Sequence, residues 1–133
     1  MKLQEINLEE KSEEGADLVL LHPTTYEPLF TDGKKKMIIR LVGMDSGKYR
    51  KKSAQIANRE LGKRKVKNSL EKSERQGNEL LAACTIGWTL QLDEDSELDF
   101  SVEAAEDLYS SLRWVREQVD EFIADRANFL TQA

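Results

Sequence analysis

Glu79 to Leu92 reads ELLAACTIGWTLQL, a long and nearly uncharged run in a chain that is 34% charged. Leu80, Leu81, Cys84, Gly87 and Trp88 fall at i, i+1, i+4, i+7 and i+8. That spacing predicts a helix pressed into a core, from Asn78 through Trp88. Ala82, Ala83 and Gly87 are small, which predicts close approach by another element. This helix is expected to be the centre of the domain.

Working outward from it, Asp17–Leu21 (DLVLL) predicts a strand, ended by His22-Pro23 because proline donates no ladder hydrogen bond. Leu29–Thr31 predicts a short second strand, followed by an Asp32-Gly33 turn. Lys36–Val42 (KMIIRLV) is the strongest strand pattern in the chain. Two or three short strands do not stand alone, so one face must pack on helices. After the N-cap candidates Asp45 and Ser46, a long basic helix is expected, with Tyr49, Ile56, Ala57 and Leu61 inward and a break at Gly62–Asn68. On the other side of the central run, DEDSELD (93–99) reads as a solvated loop. Its 1, 3, 5 carboxylate spacing lacks the glycine and terminal glutamate of a calcium loop. Ser101 then caps a helix to about Tyr109, Ser110-Ser111 permits a kink, and a last helix runs from Leu112 to Asn128. The inward positions of that helix are Val115, Val119, Phe122, Ile123 and Arg126 or Ala127. The fold class is therefore α+β: a small N-terminal antiparallel sheet packed on a mainly helical body of about four helices. Residues 1–16, polar and rich in glutamate, predict a flexible N-terminal arm; residues 17–130 form one domain, the size a 133-residue chain supports.

Composition narrows the chemistry. The single cysteine, Cys84, sits on the apolar stripe far in sequence from the single histidine, His22, so neither a disulfide nor a Cys–His pair is expected. Zinc-type spacings and a glycine-rich phosphate loop are absent. Catalytic residues, cofactors and metal sites are accordingly predicted to be none. Nor does the sequence hold a signal-peptide core or a run of apolar residues long enough for a membrane span, so a soluble protein that stays where it is made is expected.

Charge is unevenly spread. Lys34 to Arg75 carries 15 Lys/Arg against 4 Asp/Glu, a balance of +11. The rest carries the remaining 5 Lys/Arg and 21 Asp/Glu, a balance of −16, and the two give the chain's −5. Such a chain can associate with the basic side of one copy against the acidic side of another, or bind a polyanion through one face. Lys51, Lys52, Arg64 and Lys65 are the candidate basic contacts; Trp114, Phe129 and Leu130 are candidate apolar ones, with Phe122 expected in the core and Phe129 and Leu130 reading either as caps on the core or as an exposed end for self-association. A small nucleic-acid-binding or regulatory protein using basic helix 48–67 is the alternative. It is disfavoured because Tyr49 is the only aromatic residue there to stack on bases.

Four segments taken together, DLVLLHPTTYEPL, DSGKYRKKSAQIANREL, ELLAACTIGW and RWVREQVDEFIADRANFL, resemble the tail assembly chaperones of long, non-contractile-tailed bacteriophages and their prophages. The resemblance spans residues 17–130 and rests largely on segment order, since none of the segments is a chemical motif. It implies a non-enzymatic factor in the host bacterial cytoplasm that keeps the phage tape measure protein soluble and helps bring tail tube protein to it. It also implies homo-oligomers, absence from the mature virion, and in many families a longer frameshift product of the same gene.

Overall fold

The computed structural model describes residues 2, 3, 6–61, 70–93 and 96–130. In chain order the elements are α1 (Leu8–Glu14), β1 (Ala16–Val19), β2 (Ile38–Leu41), α2 (Gly47–Leu61), α3 (Leu70–Ala83), β3 (Thr85–Thr89), α4 (Val102–Ser111), α5 (Arg113–Ala124) and α6 (Ala127–Leu130). The class is α+β, with an antiparallel three-stranded sheet in the order β1-β2-β3.

The central run is split between two elements, which corrects the expected helix through Trp88. Helix α3 stops at Ala83 and the chain enters β3 at Thr85. Four of the five residues in TIGWT are β-branched or aromatic; they lose rotamer freedom in a helix and pack well on a pleated sheet. The hydroxyl of Thr85 donates to Leu81 O at the end of α3, 2.9 Å away, and meets the Tyr109 hydroxyl at 2.7 Å. Trp88 then lies opposite Ile39, and Gly87 opposite Arg40. Gly87 therefore mediates no close approach: a Cβ there would meet nothing within 4 Å. Small residues at a helix contact are found instead where α3 packs on α4, with Ala82 and Ala105 both fully buried.

Leu29–Thr31 does not form the second strand. It contributes one isolated bridge, Phe30 to Lys36, beside another from Leu21 to Pro28. Local hydrogen bonds hold this excursion: His22 Nδ1 accepts from Thr24 N, and Thr31 Oγ1 accepts from Lys35 N. The third strand thus comes from the middle of the sequence. Where residues 1–16 predict an arm, the structure has α1, capped by the Asn7 side chain accepting from Glu10 N. Ser12 of α1 is buried, and its carbonyl accepts the Gly43 N–H at 3.0 Å. Helix α1 also packs against α6, joining the two ends of the described chain.

The core lies between one sheet face and α3, α4 and α5. Leu18, Ile39 and Leu41 meet Leu81, Tyr109, Val115, Val119 and Ile123 there. Cys84 belongs to this core, and burial pushes its thiol up to about 12, so it stays protonated near neutrality. Of the two candidate caps of α2, Ser46 is the one used, accepting from Tyr49 N. Asp45 instead takes two hydrogen bonds from Arg126, at 2.7 and 3.0 Å. Ser101 caps α4 as its sequence predicts, accepting from Ala104 N.

Candidate partner-binding surfaces

Among the residues of helix α2 whose burial is described, none is fully buried. Tyr49 and Ile56 are half-buried, as expected, but Ala57 is exposed and Leu61 is 83% exposed, so the inward assignment of those two is corrected. What holds α2 on α3 is an ionic clamp. Glu79 of α3 accepts two hydrogen bonds from the Arg59 guanidinium, at 3.0 and 2.9 Å, and lies 2.8 Å from Lys52 Nζ. Arg59 and Lys52, in that order, hold the Glu79 carboxyl down at about 2. A carboxylate whose pKa is depressed by folding adds stability above its unfolded pKa, 4.5, and loses it as pH falls toward 2. Glu79→Gln is expected to lower stability by about 1–2 kcal/mol at neutral pH, given the partial exposure of the pair, and to reduce amide-exchange protection in α2 before that of the sheet. Wild type should show the same selective loss between pH 4.5 and about 2, and the variant should not. Equal acid sensitivity of α2 in both proteins would remove the clamp from the account.

The clamp leaves the opposite face of α2 to solvent. Ala54, Ala57 and Leu61 recur there at helical spacing and are all exposed. Arg50 and Lys51 stand at the head of this stripe. Arg50 lies 2.6 Å from Glu9, whereas Lys51 is exposed with no ion pair among the described residues. Lys52 is therefore a clamp residue rather than an outward contact. Arg64 and Lys65, together with the expected break at Gly62–Asn68, lie outside the described residues.

A second surface lies on α5. The 21–26 loop is pinned to it by Gln118, which accepts from Leu21 N at 3.0 Å and donates to Leu21 O at 2.8 Å. Between loop and helix opens a groove of about 480 Å³. Leu21, Pro23, Tyr26, Trp114 and Phe122 line its apolar part, and Glu117, Glu121 and Asp125 add an acidic ridge at i, i+4 and i+8. Trp114 is half-buried and also borders a smaller, almost wholly apolar hollow of about 160 Å³ walled by Leu20, Leu29, Met37, Leu90 and Leu98. Phe122 packs edge to face on Phe129, ring centres 5.6 Å apart. Phe129 is 3% exposed, so of its two readings the structure takes the core one, and it is not a partner contact. Leu130, 43% exposed, remains at the surface.

The predicted contacts thus divide between α2 and the α5–α6 end and are not brought into one site. Sequence reasoning missed Pro23 and Tyr26, which only the fold carries to α5. It also passed over the ridge 117–121–125, although that spacing is written in RWVREQVDEFIAD. Among the described residues, no group of three or more His, Cys, Asp or Glu side chains is placed to hold a metal ion, and no helix is long and apolar enough to cross a membrane. Set against protein-family models, curated proteins and solved structures, the chain matches none.

Proposed function

We propose that this chain is a non-enzymatic tail assembly chaperone of the long, non-contractile-tailed phage type. It binds the tape measure protein in the host bacterial cytoplasm, keeps it soluble and helps recruit tail tube protein. On this reading it works as a homo-oligomer, shares the task with a longer frameshift product where the gene makes one, and is left out of the mature virion. The segments resembling that family support the assignment. The observation that carries it is the outward face of α2, where Leu61 is 83% exposed in line with exposed Ala54 and Ala57. A factor that coats a long client needs open, repeated, weak surfaces of this kind, and contiguous apolar exposure marks interaction sites.

Nucleic acid, the competing partner, is poorly served by α2. Arg50, Lys52 and Arg59 are engaged by Glu9 and Glu79, so fewer cations of the described helix are free for phosphates. One experiment separates the two. Immobilised protein is offered tape measure segments and, in parallel, duplex DNA over a salt series. Retention of the segments, with DNA lost at low salt, is expected. Steeply salt-dependent DNA retention without segment capture overturns the proposal.

A further inference from the structure

The α5 groove and the outward face of α2 are complementary in two independent respects. The groove has an apolar floor that includes Trp114 and Phe122, and an acidic ridge of Glu117, Glu121 and Asp125. The helix has an apolar stripe, Ala54–Ala57–Leu61, headed by Arg50 and Lys51. Unpaired charge remains on both: neither Lys51 nor Glu121 has an ion-pair partner among the described residues. Carboxylates beside an apolar floor favour a cationic, amphipathic helix over an anionic or purely apolar occupant.

The two surfaces of one copy do not meet. The root of α2 lies toward the other side of α5, where Tyr49 shares a hollow with Arg116, Asp120 and Ile123. The Glu79 clamp holds the rest of α2 on α3. The groove opens instead beside Trp114, Glu117, Glu121 and the 21–26 loop.

We infer that the α5 groove receives the outward face of α2 from a second copy of this chain. The contact is head to tail: each copy offers one groove and one helix, so every joined pair leaves one of each unused. Such an interface builds a ring if its rotation closes and a filament if it does not, rather than a closed dimer. This deepens the proposed function and rests on the self-association it contains, by assigning the surface through which copies join.

Sedimentation velocity over a protein-concentration series tests the inference on the full chain, using Lys51→Glu, Glu121→Lys and the double variant. Both positions are exposed and without an ion pair among the described residues, so thermal melts should stay at the wild-type value. Wild type is expected to grow with concentration past the dimer and to shrink with added salt. Each single variant should associate at least about tenfold more weakly, because it sets like charges against each other. The double variant should recover to within about threefold of wild type, since the exchanged charges again attract. Single variants that associate like wild type, or a double variant no better than either, overturn the inference.

A wild-type chain that stays monomeric also overturns it. Capture of tape measure segments by the same proteins then distinguishes the two failures. Monomers that capture segments, and lose them with Glu121→Lys, make the client the occupant of the groove and leave the chaperone proposal standing. Assembly that follows the charge exchange without any segment capture supports the groove assignment and removes the chaperone proposal.

Discussion

Replacing Ile39 with alanine is expected to lower stability by about 3–4 kcal/mol, while Ile38→Ala, one residue earlier, lowers it by less than about 1 kcal/mol. Ile39 is fully buried at the middle of the central strand. It lies between Leu18 on β1 and Trp88 on β3, on the face covered by helices. Truncation there removes three carbons that neighbours on two strands cannot replace, so the transfer loss is joined by a cavity loss. Ile38 points to the other face and is only half-buried. Strand side chains alternate, and a one-residue slip of β2 exchanges the two roles. Urea unfolding should therefore show a much lower midpoint for Ile39→Ala with an unchanged slope. If Ile38→Ala is the more damaging variant, the register of the sheet is wrong.

The second large effect is expected at Gly43, where the chain leaves β2. A Cβ on this residue would lie 2.6 Å from the Ser12 hydroxyl oxygen and 3.1 Å from two ring carbons of Phe129. Neither neighbour moves freely. Ser12 is on α1 and its carbonyl accepts the Gly43 N–H; Phe129 is on α6 and is 3% exposed. Gly43→Ala should cost about 2–3 kcal/mol through overpacking, with the loss of amide protection concentrated in α1 and α6. The Ser12 hydroxyl has no hydrogen-bond partner among the described residues. Ser12→Ala alone is therefore expected to be neutral or slightly stabilising. In the Ser12→Ala background, Gly43→Ala should cost about 1 kcal/mol less, because the closest clash is gone. Strict additivity of the two changes would show that α1 does not meet the chain at Gly43 through Ser12.

These two positions mark what local sequence reading reaches in this chain. The β-rich run KMIIRLV, bounded by a charge cluster and Gly43, identified β2, and the apolar spacing of Val115, Val119 and Ile123 identified α5. ELLAACTIGWTLQL carries two periods: its first half obeys a helical spacing, and its second half alternates, with Ile86, Trp88, Leu90 and Leu92 apolar between Thr85, Gly87, Thr89 and Gln91. Trp88 happened to extend the helical spacing. What decides the matter is the pairing of β3 with β2, which no local window contains. Ser12 was invisible for the same reason: a serine in an acidic run gives no sign that it will sit against a glycine 31 residues later. On the candidate surfaces, the cationic character of α2 was plain in KYRKK. Which cations face inward was not, because that depends on Glu79 standing across from Lys52 and Arg59. The acidic ridge on α5 was legible from its four-residue spacing; the loop residues Pro23 and Tyr26 that complete the groove were not.

The central claim, that this chain works by holding a long client in solution, is tested most directly by co-expression with its proposed client, a phage tape measure protein. Soluble yield and co-purification are scored with and without this chain, and again with the longer frameshift product if the gene encodes one. The account predicts that the tape measure protein moves from the insoluble to the soluble fraction and co-elutes with this chain. A tape measure protein that stays insoluble with both products present, while this chain elutes alone, would contradict it.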